Sequence, residues 1–282
     1  MLPTGPPPDW SRVRIAVPRR SDQLPGVAMA GFEHRAAAPV DIAMVAHPAV
    51  TVLIDLSEAD DLVAYRGRGG PARGSVVIGL LPGEVRVTGR GIGECLQIRL
   101  APVVAAALLG APTDLTSAVV PLDQAWGRGA GRLADRLRAA PSWDDRFAIA
   151  AEELHHRLAD RPAVDPEVAH TWRRALASNG RVRVDGLAGE VGWSRKRLWS
   201  RFRSQVGITP KRAAQLVRFD HAAHLLAAGE APARVAAASG YVDQSHLHRE
   251  VKAFAGLTPA GVAAAPWLAI DGVAWPATRR PV

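Results

Sequence analysis

Two stretches decide how this chain folds: VRVDGLAGEVGWSRKRLWSRFRSQVGITP, residues 182–210, and APARVAAASGYVDQSHLHREVKAFAGLTP, residues 231–259. They align as an internal repeat, which sets the architecture before any single element is assigned. Each has a short apolar helix (Leu187, Ala188, Val191; Val235, Ala236, Ala237), then glycine and an aromatic (Gly192-Trp193; Gly240-Tyr241). A polar capping residue follows, then a basic amphipathic helix, then Gly-x-Thr-Pro at 207–210 and 256–259. Glycine at a tight turn between two helices is the mark of a helix-turn-helix unit. Ser194 and Asp243 stand where the second helix of each unit needs an N-cap.

The apolar spacing fixes which side of each second helix is covered. Leu198, Phe202 and Val206 recur every four residues, as do Leu247, Val251 and Phe254 with one shorter step. Each is a stripe that must face a core. Arg195, Lys196, Trp199, Ser200 and Arg203 then point outward from the first helix, and Gln244, Ser245, His248, Arg249 and Lys252 from the second. One such charged face is most often only solvated. Two in tandem behind Gly-aromatic turns match what base edges and phosphates require of a protein. Residues 210–228 contain no internal Gly or Pro after Pro210, so one helix of about 28 Å can join the units. That length is comparable to the ~34 Å between successive major-groove faces of duplex DNA.

At these residues the chain resembles the DNA-binding module of the AraC/XylS transcription regulators. The most specific part is Gly240-Tyr241-Val242-Asp243-Gln244-Ser245-His246-Leu247-His248-Arg249, with Lys252-x-Phe254 and Gly256-Leu257-Thr258-Pro259 after it. Val251 departs from the family's frequent Phe, apolar for apolar. The resemblance covers residues 170–264. It implies base reading near Lys196, Trp199 and Ser200 in the first unit and near Gln244, Ser245, His248 and Arg249 in the second. It also implies a cupin-like effector domain upstream, a homodimer, and RNA polymerase as a partner if the protein is an activator. The order Gln97-Ile98-Arg99-Leu100, Ala101-Pro102, Leu108-Leu109-Gly110-Ala111-Pro112, Asp114-Leu115-Thr116, Val120-Pro121-Leu122 and Trp126-Gly127 resembles actinobacterial members of the group.

Charge is divided unevenly. Residues 1–179 hold 20 Arg and 20 Asp plus Glu, whereas residues 180–265 hold 13 Lys plus Arg against 6 Asp plus Glu, a net of +7 out of the chain's +8. The basicity that attracts phosphate therefore lies in the repeat. The 282 residues suffice for two domains, and a mean hydropathy of +0.01 is ordinary for a globular chain. No apolar run reaches the ~18 residues of a membrane span, and residues 1–26 lack the apolar core of a signal peptide. The expectation is a cytoplasmic protein with no membrane partner, nucleoid-associated when on DNA. The single cysteine, Cys95, excludes a disulfide framework and a multi-cysteine metal site. It also excludes a DNA-repair fusion built on a cysteine cluster.

From Val27 to Leu100 short apolar or alternating runs replace the helical period. Strands are expected at 27–34, 42–46, 51–56, 62–66, 75–80, 84–88 and 94–100, a spacing that suggests a small antiparallel barrel or sandwich. Met44, Val52, Ile54, Val77 and Ile78 are the inward residues expected to line an effector cavity. His34 and His47 lack His-x-His spacing, so no metal and no cofactor is expected. Gly67-Arg68-Gly69-Gly70 and Gly89 to Gly93 read as hairpin turns rather than phosphate loops. No nucleophile, base and orienting group stand together, so no catalytic residue is assigned. A cupin-type enzyme fused to a DNA-binding module is the alternative.

Beyond Ala101 the period is helical: Pro102 to Leu109, Leu122 to Ala139, and Ser142 to Leu158. Ser142 with Asp145 makes a capping pair for the last, and its stripe of Phe147, Ala150, Ala151, Leu154 and Leu158 faces a core or a second chain. The expected fold is α+β. A poorly ordered lead-in, 1–26, precedes an antiparallel β-barrel, cupin-like domain with appended helices, 27–160. A hinge, 161–169, leads to an all-α double helix-turn-helix domain, 170–265, and a loose tail, 266–282, whose Trp267 and Trp275 can fold back onto the barrel. The partners expected are double-stranded DNA, a small effector and a second copy of the chain.

Overall fold

The computed structural model describes residues 10–19, 24–34, 39–57, 64–67, 70–81, 85–90, 93–110, 116, 118–159 and 163–275. Its N-terminal half holds strands β1 (Val13–Ala16), β2 (Val27–His34), β3 (Pro39–Met44), β4 (Val50–Asp55), β5 (Ala64–Gly67), β6 (Gly70–Arg73), β7 (Val76–Ile78), β8 (Val85–Arg90), β9 (Glu94–Leu100) and β10 (Val119–Pro121). They form two antiparallel sheets, ordered β1-β2-β9-β4-β7-β10 and β3-β8-β5-β6. The sheets do not close into the expected barrel. β1 and β10 lie at opposite edges of the larger sheet, and the smaller sheet packs on its face without pairing to either edge strand.

Strand alternation builds three layers. In β2, Val27 and Met29 join a core shared with the helices, while Ala30 and Phe32 join the core between the sheets. In β4, Val50, Val52 and Ile54 take the helical side and Leu53 the sheet side. The same alternation separates the residues expected to line one cavity. Val52, Ile54 and Val77 are buried toward the helices, whereas Ile78 and Met44 pack between the sheets. The five do not enclose a common space.

Two further expectations change in the structure. The lead-in contains β1, which pairs with β2 from Val13↔His34 to Ala16↔Gly31; four residues are too short to show alternation in sequence. Residues 1–9 and 20–23 lie outside the described residues. Gly67 and Gly70 do close a hairpin between β5 and β6. The glycine run before β9, with Gly91 and Ile92 outside the described residues, instead connects β8 and β9, which lie in different sheets.

Helices α1 (Pro102–Leu109), α2 (Leu122–Trp126), α3 (Gly129–Ala139) and α4 (Trp143–Ala159) back the larger sheet. The Ser142–Asp145 pair forms, Ser142 Oγ accepting from the Asp145 amide at 3.2 Å. Phe147, Ala150 and Leu154 are consumed by this chain's own core, so the α4 stripe meets a core rather than a partner. The C-terminal half comprises α5 (Pro166–Ala177), α6 (Val184–Glu190), α7 (Arg195–Val206), α8 (Pro210–Ala227), α9 (Pro232–Ala238), α10 (Gln244–Ala255), α11 (Pro259–Ala263) and α12 (Pro266–Ala274).

Of the segment expected as a hinge, 161–162 lie outside the described residues, while 166–169 are already helical. Asp165 is fixed there: its carboxylate accepts two bonds from Arg201 at 2.7 and 2.8 Å, and its amide donates to Gln205 at 2.9 Å. The expected tail is helical through Ala274, and Trp275 does fold back, 2% exposed, into the core between the sheets. The side chain of Trp267 and residues 276–282 lie outside the described residues. Trp172, Phe202, Val206 and Phe219 of the C-terminal half belong to the same apolar cluster as Val52, Ile98 and Leu137 of the N-terminal half. The two halves therefore share a core rather than each closing its own.

Gly31 of β2 shows how tight the helix–sheet packing is, because a Cβ built there would run into the Trp143 ring. Gly31→Ala should destabilise the protein by ~1–3 kcal/mol, the usual cost of overpacking. Chemical denaturation of the two proteins measures it, and an unchanged midpoint would mean that Trp143 moves aside freely.

Candidate nucleic-acid interface

Both repeat units are built from the same backbone devices. Gly192 (φ +66°) and Gly240 (φ +74°) occupy the left-handed conformation that turns each first helix into the next. Ser194 Oγ accepts from the Arg197 amide at 3.2 Å, and Asp243 Oδ1 from the His246 amide at 2.6 Å, so each second helix starts on a side-chain cap. Gly207 and Gly256, at φ +84° and +69°, end those helices in the αL conformation. The Gly-x-Thr-Pro motif then does more than stop a helix. Thr209 caps α8 by accepting from Arg212, Thr258 caps α11 by accepting from Gly261, and each following proline takes the first helical position, where no amide donor is needed.

Burial follows the stripes. Leu198, Phe202 and Val206 are at most 2% exposed, and Leu247, Val251 and Phe254 at most 3%. The structure places Arg195, Lys196, Trp199, Ser200 and Arg203 together on the exposed face of α7, and Gln244, Ser245, His248, Arg249 and Lys252 together on that of α10. Among the described residues Lys196, Arg249 and Lys252 have no ion-pair partner. Arg195 is engaged with Asp185 at 2.7 Å, a surface pair whose small worth lets a phosphate compete for the guanidinium. The Arg203 guanidinium stacks over Trp199, 5.2 Å from its ring centroid, so that indole lies on the exposed face instead of packing inward. Val242, next to the α10 cap, is 88% exposed.

The frames differ beneath this surface. In the second unit Glu250 is 6% exposed and bonded to Arg218 of α8 at 2.7–3.1 Å. The Tyr241 hydroxyl donates to Glu250 at 2.9 Å, and Arg218 stacks 4.6 Å from the Tyr241 centroid. Burial first, and then the Glu250 charge, pushes the Tyr241 hydroxyl well above its ordinary pKa, so it remains a donor. The joint fastens α10 to the spacer helix. In the first unit Trp193 takes the aromatic position and stacks under Arg197 at 4.4 Å, and the outward tie is Arg201 to Asp165. Sequence reasoning missed Glu250. Its signal was an acidic residue between Leu247 and Val251, one step from the apolar stripe.

The Arg218–Glu250 pair is largely desolvated, with side chains 16% and 5% exposed. Glu250→Ala leaves Arg218 and the Tyr241 hydroxyl unpaired, which should cost ~3–5 kcal/mol. Urea unfolding monitored by circular dichroism tests it, and a cost within 1 kcal/mol on that scale would show that water replaces the carboxylate.

Outside these two helices, His47, Arg99, Asp220, His224 and Asp271 cluster where the sheet meets α8 and α12. No group of three or more His, Cys, Asp or Glu arranged to hold a metal occurs among the described residues. Cys95 is buried, and burial pushes its thiol up to about 12. A cleft of about 20 Å³ lies between the sheet (Val50, Leu80), α1 (Ala105, Leu109), Thr116 and the end of α7 (Val206). No helix among the described residues is long and apolar enough to cross a membrane.

Residues 187–265 match the family model of a helix-turn-helix domain. No curated protein matches this chain. Among solved structures, ToxT from Vibrio cholerae is 11% identical over 84% of this chain and 96% of its own, with a TM-score of 0.46. The C-terminal domain of AraT, a response regulator from Geobacillus stearothermophilus, is 19% identical over 36% of this chain and 85% of its own, with a TM-score of 0.34. The AraC-like transcriptional activator CuxR is 12% identical over 72% of this chain and 83% of its own, at 0.36. Likenesses this loose place no individual residue.

Proposed function

We propose that this chain, whose residues 187–265 match a helix-turn-helix domain, is a sequence-specific DNA-binding transcription regulator of the AraC/XylS type. One observation carries the reading: two helices with matching caps bury their apolar stripes and leave their basic and amide-bearing faces in solvent. The spacer α8 is 18 residues, about 27 Å long, which suits two helices entering successive major grooves from one side. Lys196, Trp199, Ser200, Gln244, Ser245, His248 and Arg249 are the proposed base readers, and Arg195, Arg203 and Lys252 the phosphate contacts. Cytoplasmic localisation follows from DNA as partner.

The N-terminal half carries no net charge by sequence and is proposed to sense a small effector. The split of Met44, Val52, Ile54, Val77 and Ile78 between two cores moves the proposed entry point to the cleft between the sheet, α1 and Val206. An apolar compound widening that cleft would press on the end of α7. Homodimerisation remains part of the proposal, through a surface other than the buried α4 stripe, with RNA polymerase as a further partner of an activator. The alternative of a cupin-type enzyme fused to the module has no assembled metal-ligand group among the described residues to support it.

Titrating the full chain with a labelled duplex at several salt concentrations tests the central reading. Affinity should fall steeply as salt rises, because each phosphate neutralised releases counterions. Absence of any salt-dependent binding at low ionic strength overturns it. On a site selected from random duplexes, Arg249→Ala should lose ~1–3 kcal/mol and relax preference at one base pair. An equal loss on every duplex would instead assign Arg249 to phosphate. For the effector, thermal shift with apolar small molecules should stabilise the wild type and not Leu109→Trp, which fills the cleft; equal shifts in both would place the site elsewhere.

A further inference from the structure

The last described helix, α12, ends in contacts that belong to neither half alone. Asp271 is 6% exposed. Arg99 of β9 donates to it twice, Nη2 to Oδ1 at 2.8 Å and Nη1 to Oδ2 at 3.3 Å. His224 Nε2, from spacer helix α8, lies 2.9 Å from the other side of the same carboxylate. The opposite His224 nitrogen, Nδ1, is 2.8 Å from the Asp220 carbonyl oxygen. Both ring nitrogens face acceptors, so both donate and the ring is an imidazolium. Arg99 also stacks on Trp275, 4.2 Å from its centroid, and Trp275 is sunk between the sheets. One carboxylate thus holds a strand, the spacer helix and the last described helix.

We infer that α12 is a conformational latch: Asp271 fastens β9 of the sensory half to α8, so that the placement of both recognition helices is coupled to the state of the sheet. This rests on the reading of α7 and α10 as DNA-contacting helices. Polar chemistry distinguishes the joint from simple glue. Replacing a buried ion pair by apolar residues is often neutral or stabilising, so charge at a junction serves specificity or switching better than strength. The joint is also imperfectly satisfied. His47, from the loop after β3, accepts from Arg99 through Nε2 at 3.1 Å, leaving its buried Nδ1 with no hydrogen-bond partner. The Arg218–Glu250–Tyr241 joint inside the DNA-binding half has no such orphan. The latch therefore sits closer to an alternative arrangement than the frame it moves.

The groups facing the latch are Arg99 from β9, His47 from its loop, Asp220, His221 and His224 from α8, and Asp271 and Trp275 from α12. Burial alone lowers the His224 pKa, but the Asp271 bond and the Asp220 charge outweigh it and hold it up at about 9. Burial opposes the Asp271 charge, yet His224 and Arg99 keep its carboxyl well below the usual range. Burial lifts Asp220 to about 6 and holds His47 neutral. A raised His224 contributes stability that is fully present below its ordinary value of 6.5 and lost as pH rises through about 9. The lowered Asp271 contributes above its ordinary 3.8 and loses this as pH falls through its folded value. The latch is therefore held by charge through the neutral range and needs a mechanical trigger.

The test uses the full chain as wild type, Asp271→Asn and Asp271→Ala, with hydrogen exchange read with and without a short duplex at low salt. Coupling is reciprocal, so if the sheet biases DNA binding, DNA must bias the sheet. In the wild type, duplex should slow exchange in 195–203 and 244–252 and also change it about fivefold or more in 94–100 and 266–275. In Asp271→Asn the recognition helices should still be protected while 94–100 no longer responds. His224, followed by NMR, should titrate near 9 in the wild type and lower in both variants, and acetate, but not chloride, should raise it again in Asp271→Ala. The latch is overturned by equal spread of protection in wild type and Asp271→Asn, or by His224 titrating at its ordinary value in the wild type. If duplex protects neither recognition helix in any protein, the DNA reading fails separately. Exchange of 94–100 without DNA then decides the latch, faster in Asp271→Asn supporting it and unchanged overturning it.

Discussion

The constraint on which the rest of the molecule depends is a single apolar core that runs through both halves. Val52, Ile54 and Ile98 of the larger sheet, Leu137 and Phe147 of the backing helices, and Trp172, Phe202 and Phe219 of the C-terminal half belong to one cluster. A domain normally closes a core of its own, and relative motion is the default between domains that do. Here the sheet needs its helices, and α1 rests against α4, α5 and α7. Helix α7 is thus packed on the N-terminal half through the side opposite its exposed basic face.

That arrangement explains how the interface can be polar without weakening the fold. All of the apolar demand of α7 and α10 is met by residues every third or fourth position, so the remaining faces are free to carry charge and amide groups. The backbone needs little from those faces, because helix ends are satisfied by Ser194, Thr209, Asp243 and Thr258 and by glycines in the αL conformation. Two buried polar joints tie the C-terminal elements together. Arg218–Glu250–Tyr241 fixes α10 to α8 within one half, and Arg99–Asp271–His224 fixes α8 to the sheet across both. The same spacer helix takes part in each, with Arg218 and His224 less than two turns apart, so the orientation of the second unit and the position of the sheet meet on one element.

Much of this was written in local sequence. The repeat, its caps, its stops and both exposed faces follow from spacing alone, because a helix of period 3.6 and a glycine turn are decided within a dozen residues. The seven expected strands all exist within a few residues of their expected bounds, two of them, β2 and β9, without any shift. The net charge of residues 180–265 already set the basic half apart.

What the sequence could not decide is whatever depends on residues far apart in the chain. An alternating strand shows that it has two faces but not what covers each, so Val52 and Ile78 read alike although one meets helices and the other a second sheet. Closure of a barrel is a matter of which edges meet, and no local pattern states it. Val13–Ala16 is a strand only because β2 offers an unpaired edge. Glu250 looked like a surface acid until Arg218, 32 residues away, desolvated it. Asp271 looked like part of a loose tail, and it is held by Arg99, 172 residues earlier, and by His224, 47 residues earlier. Sequence fixed the elements because their forces act within a few turns of chain; tertiary structure chose the partners because burial and charge pairing act through space.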